Sequence, residues 1–169
     1  MKIKRLLKCL AIITVIILLF QQTAFAQTEE VKVRPPKPTI GRESPDPNYA
    51  TGNSSLNFSI QALGLMKNVA CSIAPSESSG VISVDGHGFA FETCNEMKIQ
   101  LHIQQWTGSE WKNVLSYYSS DYNTHFIMRA TNKDCPKGYY YRGHCVVTAI
   151  AYSGARDSLS VTTDYIYYD

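Results

Sequence analysis

Four histidines, His87, His102, His125 and His144, are the side chains of this sequence that ordinarily change charge near neutral pH, and chemistry is sought there first. His102 and His144 occupy outward positions on two stretches expected to run side by side as strands, where two imidazoles could share a metal ion. Neither stretch has an Asp or Glu close in sequence to complete a site, except Glu96 in the preceding turn. Solvated strand histidines are therefore the expectation, with no metal and no cofactor. His87 lies between Gly86 and Gly88, with Asp85 two residues earlier, and is read as a β-bulge residue ahead of a ligand or an acid–base partner.

Catalytic signatures are missing from the sequence. It has no G-x-S-x-G nucleophile elbow, no helical H-E-x-x-H and no Gly-rich phosphate loop. A two-carboxylate glycosidase needs paired acids at one cleft. Here Asp85, Glu92, Glu96, Glu110, Asp121, Asp134, Asp157 and Asp164 are scattered over different turns. No catalytic residue is assigned, and the chain is not expected to be an enzyme.

Of five cysteines, Cys9 stands before an N-terminal apolar run and leaves with it on cleavage. Cys71, Cys94, Cys135 and Cys145 remain, an even count that in an exported chain reads as two disulfides. Structural zinc takes its ligands in closely spaced pairs, and gaps of 22, 40 and 9 residues contain none. The default pairing is Cys71–Cys94 with Cys135–Cys145. A hairpin turning at Cys135-Pro136-Lys137-Gly138 would set Cys145 opposite Arg129, so Cys94–Cys145 with Cys71–Cys135 stays open as the alternative.

Aromatic residues are the more suggestive feature. Eleven tyrosines include the clusters Tyr117-Tyr118, Tyr139-Tyr140-Tyr141 and Tyr165-Tyr167-Tyr168. Neighbouring strand residues point to opposite faces, so part of each cluster is expected outside the core, where tyrosine offers flat apolar area and a hydroxyl. A binding patch is placed on Tyr139, Tyr141, Tyr165 and Tyr167. The competing reading is that tyrosines pair across strands simply because they favour sheets. Trp106 and Trp111 flank a turn, one for the core and the other to extend the patch.

These residues need a scaffold, and the sequence divides into three parts. Residues 1–26 have a basic start (Lys2, Lys4, Arg5, Lys8), an apolar run from Leu10 to Phe20 and a small-x-small end, Ala24-Phe25-Ala26; they read as a cleaved signal peptide. Gln21 and Gln22 end the run short of the ~20 apolar residues that span a membrane. Residues 27–53 hold five of the seven prolines (Pro35, Pro36, Pro38, Pro45, Pro47) and are expected to be an exposed tail or linker. Its functional rival is a Pro-rich ligand for a partner's groove.

Residues 54–169 alternate with period two. Leu56, Phe58, Ile60 and Ala62 do so, and Met97, Ile99, Leu101 and Ile103 do so most clearly against Lys98, Gln100, His102 and Gln104. Further strands are expected near 69–73, 81–91, 111–118, 126–131, 139–152 and 159–168, with turns at Cys94-Asn95-Glu96, Thr107-Gly108-Ser109, 121–123, Pro136–Gly138 and Ser153-Gly154. No amphipathic helix is expected. The fold class is all-β: a two-sheet antiparallel β-sandwich of seven to eight strands, immunoglobulin/fibronectin-III-like.

Charge narrows the partners. Four of the 16 bases lie in the signal, which leaves 12 against 14 acids, a net −2 for the exported part. That excludes a nucleic-acid surface, which needs clustered bases to displace counterions.

The run Gly138-Tyr139-Tyr140-Tyr141-Arg142, with Gly154, Asp157-Ser158-Leu159 and Thr162-Thr163-Asp164, resembles the last two strands of an immunoglobulin or fibronectin type III sandwich. The strand Met97–Gln105 with Trp106-Thr107-Gly108-Ser109-Glu110-Trp111 is similar to small secreted proteins of unknown function from Gram-positive bacteria, each a single β-sandwich after a signal peptide. The resemblance spans Cys71 to Tyr168 and implies the fold, not a mechanism. It departs from antibody domains at Gly143, where those carry a tyrosine two residues before the second core cysteine.

The expected function is a secreted, non-catalytic protein that binds cell wall, glycan or a protein partner, without nucleic acid and without a membrane span after cleavage. The alternatives are a small secreted hydrolase, or a toxin or protease inhibitor presenting Ser119–Thr124 or Lys133–Gly138.

Overall fold

The computed structural model describes residues 34–55, 64–76 and 80–169. The signal peptide, Cys9 and the alternation at Leu56, Phe58, Ile60 and Ala62 lie outside the described residues. Among the described residues there is no helix, and seven strands form one antiparallel sheet that curls back on itself like a barrel. The strands are β1 (Ala50–Ser55), β2 (Met66–Pro75), β3 (Val81–Trp106), β4 (Trp111–Asp134), β5 (Tyr139–Ile150), β6 (Arg156–Thr162) and β7 (Ile166–Tyr168).

One long hairpin organises the rest. β4 pairs with β3 along most of its length, from Val81–Asp134 to Trp106–Trp111. The other edge of β3 is shared: β2 takes the first half, from Ile82 to Ala90, and β5 takes the second, from Glu96 to Gln105. Between the halves, Phe89 pairs with Phe126 and Cys94 with Thr124, so five steps of β3 oppose two of β4. Extra residues on one strand bend it, and this bend brings β2 over β5 and β6. The sequence pattern suggested breaks at Cys94-Asn95-Glu96 and at 121–123. Instead both chains run through, because neither stretch contains a Gly or Pro to end pairing; Asn123, at φ 54°, absorbs the distortion.

The core follows the alternation. Met97, Ile99, Leu101 and Ile103 are fully buried against Val69, Ile73, Ile82, Val84 and Val147. The bulge expected at Gly86-His87-Gly88 is absent: register is regular from Val81 to Phe89, and the inward positions are Ile82, Val84, Gly86, Gly88 and Ala90. The two glycines do a different job. A Cβ on Gly86 would meet Cys145 Sγ and Leu101 Cδ2 at 2.7 Å, and one on Gly88 would meet Val147 at 2.8 Å. Gly52 similarly faces the Thr162 carbonyl, 2.5 Å from where its Cβ would stand. Bare backbone on one side of the curled sheet lets side chains of the other reach in.

All four core cysteines are free and buried. This corrects the expectation of two disulfides. Cys71 is the register partner of Gly86, eight residues before Cys94 along β3, roughly 20 Å or more at strand rise. Cys135 donates its N–H to Gly80, whereas Cys145 Sγ sits against Gly86, six residues on. A disulfide tolerates at most about 6.8 Å between Cα atoms, and the alternative pairing is separated in the same way. β4 and β5 are not hairpin partners either, so Cys145 faces Leu101 and Val161 rather than Arg129. Burial pushes the Cys145 thiol up to about 12 and Cys71 higher still, so neither ionises at neutral pH.

The segment expected as an exposed tail is partly built into the domain. Residues from Arg34 onward belong to the same compact unit as the strands, Pro38 is buried, and Ala50–Asn53 open β1. Trp106 donates its indole N–H to the Pro36 carbonyl and Trp111 to that of Ile40, both at 3.0 Å. Further on, Tyr165 N–H donates to Arg42 O at 2.8 Å, Ser44 N–H donates to Tyr165 O at 2.9 Å, and the Arg42 guanidinium grips Asp164 through Nε and Nη2. The segment is thus not the free tail expected of it, and the aromatic groove that the rival reading gave to a partner lies in the same chain.

Candidate functional site

The tyrosine patch does not survive as a surface. Tyr141 is fully buried, its hydroxyl donating to Pro136 O at 2.7 Å, and Tyr165 is 3% exposed. Only Tyr139 is exposed and Tyr167 half-buried. β7 does lie beside β5, but this pairing turns Tyr165 and Tyr167 onto Tyr140, with ring centroids 5.6 and 5.0 Å away. Trp106 and Trp111 join them, and Arg34 caps Tyr167 from 3.7 Å. The rings hold the leader down and leave little free face.

Neither proposed inhibitor loop is presented as one. Ser119–Thr124 lies inside β4, and the connection holding Lys133–Gly138 has Cys135 buried in it.

A recess opens instead on the outer face of β1, β2 and the first half of β3. It encloses about 250 Å³ and is lined by Tyr49, Thr51, Asn53, Ser72, Asp85 and His87, among others. Register explains the gathering. Thr51 pairs with Ser72, Ser72 with Asp85, Asn53 with Ala70, and Ala70 with His87, all on outward positions. Ser72 Oγ donates to the Asp85 carboxylate, which fixes one carboxylate oxygen, and Asp85 lines the recess. Tyr49, 47% exposed, stands at the rim. Phe89 and Phe126 continue the same face, their rings tilted 35° to each other with centroids 4.5 Å apart and the His87 ring edge-on to Phe89 at 5.8 Å, and Met128 beside His87 is half exposed.

The recess therefore combines hydroxyl, amide, carboxylate and imidazole with a flat aromatic rim. Asp85 and His87 were singled out in the sequence, and the structure keeps them on one face. Ser72, Asn53 and Tyr49 were missed: they lie 13 to 36 residues from Asp85, and strand register brings Ser72 and Asn53 there while Tyr49 arrives on the segment that leads into β1. As chemistry, the order is wrong for nucleophilic catalysis, which places an imidazole between hydroxyl and acid. Here the hydroxyl is bonded to the acid itself.

His102 and His144 are register partners on β3 and β5, as expected. Their rings stack with centroids 5.8 Å apart, and His102 is buried rather than solvated. Burial lowers both pKa values; the His144 value is lowered further by His102 and Arg142. Both shifts favour the neutral imidazole. No protein-family model matches this chain, and no curated protein matches it.

Proposed function

We propose that the chain is a secreted, non-catalytic binding protein whose recess on β1–β2–β3 takes a polyhydroxylated ligand, a cell-wall glycan. In this reading a signal peptide (1–26) exports it, and the curled sheet is a two-layer, immunoglobulin/fibronectin-III-like sandwich that presents the recess. The resemblance to small secreted proteins of Gram-positive bacteria fits that setting. One observation carries the reading: Asp85, Asn53, Thr51 and His87 offer hydrogen-bonding groups on a rigid sheet face, and Tyr49 offers a ring at the rim. Sugars are held this way, by polar groups that fix hydroxyls and an aromatic face that packs on the ring. A hydrolase is the second reading because Ser72, Asp85 and His87 share that face, but the Ser72–Asp85 bond favours holding over attack.

Co-sedimentation of the purified exported domain with insoluble cell wall tests it. Asp85→Asn and Tyr49→Ala should each weaken binding about tenfold, the effect of losing one good contact, about 1.4 kcal/mol. Tyr49 is exposed and Asn can still accept from Ser72, so neither change should cost stability. Wild-type protein that stays in the supernatant, or variants that bind as wild type, would overturn the proposal. Release of soluble sugar during the assay would transfer it to the hydrolase.

A further inference from the structure

We propose that His102 and His144 form a two-imidazole site for a divalent transition-metal ion of the zinc or copper type. The site lies on a different part of the sheet from the recess and does not depend on the glycan reading. Four outward residues make one row across four strands: Ser116 on β4, His102 on β3, His144 on β5 and Thr162 on β6, each the register partner of the next. The two hydroxyls bracket the two rings. His102 Nδ1 lies 2.9 Å from Ser116 Oγ, and His144 Nδ1 lies 2.9 Å from Thr162 Oγ1.

That bracketing is what a metal-binding imidazole needs from its surroundings. A hydroxyl that accepts Nδ1–H fixes the ring's orientation and puts the lone pair on Nε2, the nitrogen that ligates. Asn113 Nδ2, which can only donate, also approaches His102 Nδ1 at 3.4 Å; that contact needs the lone pair on Nδ1 and competes with the shorter Ser116 contact for the tautomer. The rings are 23° from parallel with centroids 5.8 Å apart, so binding one ion requires the two side chains to turn their Nε2 atoms toward each other. Neutral nitrogen donors suit Zn²⁺ and Cu²⁺, with Cu²⁺ the tighter.

The nearby cations have partners of their own, although the Arg142 charge still reaches His144 and lowers its pKa. Arg142 donates from Nε to Gln104 at 2.7 Å and lies over the Trp111 ring at 4.4 Å, and Lys98 pairs with Glu96 at 3.4 Å. Next to the row, Tyr118 stands edge-on to His102. Two protein ligands fall short of the four of a structural zinc site, so the bound ion is exchangeable.

Calorimetric titration of the exported domain with Zn²⁺ alone, then Cu²⁺ alone, tests the site. One ion per chain is expected. His144→Ala and His102→Gln should each lower affinity at least tenfold, whereas His87→Ala/His125→Ala should leave it unchanged. Ser116→Ala/Thr162→Val should weaken it about tenfold through lost orientation. In the unmutated protein, ¹⁵N spectra of the imidazoles should show Nδ1–H before the ion is added and a shift at Nε2 of His102 and His144 afterwards. The proposal is overturned by no binding to wild type, by full affinity in either single variant, by loss of affinity in His87→Ala/His125→Ala, or by an unmoved Nε2.

Discussion

Trp106→Ala should destabilise the domain by about 3–5 kcal/mol, the usual cost of truncating a buried tryptophan. Trp106 is 1% exposed and closes the β3–β4 hairpin opposite Trp111, with ring centroids 5.3 Å apart. Its loss removes the floor under Tyr140 and Tyr165 and the N–H that holds Pro36. The leader should then detach, so limited proteolysis should cut between Arg34 and Tyr49 in the variant well before it cuts wild type. Trp106→Phe keeps a ring but no donor and should fall between the two. Urea denaturation gives the energies, and the cleavage sites give the cause. A variant as stable as wild type, with its leader equally protected, would mean that the leader is the loose tail its prolines suggest.

The second large effect is expected at Gly86. Valine there places carbon atoms where Cys145 Sγ and Leu101 Cδ2 already stand, on the inside of a close-packed core. Overpacking of this kind costs about 3 kcal/mol or more when the neighbours cannot retreat. Leu101 and Cys145 are themselves register partners with no exposure, so retreat means separating β2–β3 from β5. Gly86→Ala should cost less, and Cys145→Ala should relieve part of that cost by removing the sulfur. A double-mutant cycle by urea denaturation should show that coupling, on the order of 1 kcal/mol. Strict additivity would mean that the two sites do not touch.

Much of this fold was legible in residues whose surroundings are local. Met97 to Ile103 alternate because one face is dry, and Thr107-Gly108-Ser109 turns because Gly108 supplies φ 106°. The pairing of His102 with His144 followed from placing those two strands side by side. What stayed hidden depends on distant chain. The stretches around Cys94 and 121–123 look like turns, yet β3 and β4 run on through a bend, since a bulge needs only unequal residue counts and has no residue signature of its own. Tyr141 and Tyr165 look like any strand tyrosine. Tyr141 is buried in the core beside Tyr168 of β7, and Tyr165 among the aromatic rings under the Pro-rich leader; proline content reports backbone stiffness, not whether an aromatic groove is near. The recess was half visible in Asp85 and His87. Ser72 and Tyr49 joined it only through register and the leader's path.

The binding claim is tested most directly by amide chemical shifts of the ¹⁵N-labelled domain during titration with soluble cell-wall oligosaccharide. Saturable shifts should cluster at Thr51, Asn53, Ser72, Asp85 and His87, with the amides of β6 unmoved. No shift at millimolar sugar, or shifts confined to residues outside the recess, would contradict it.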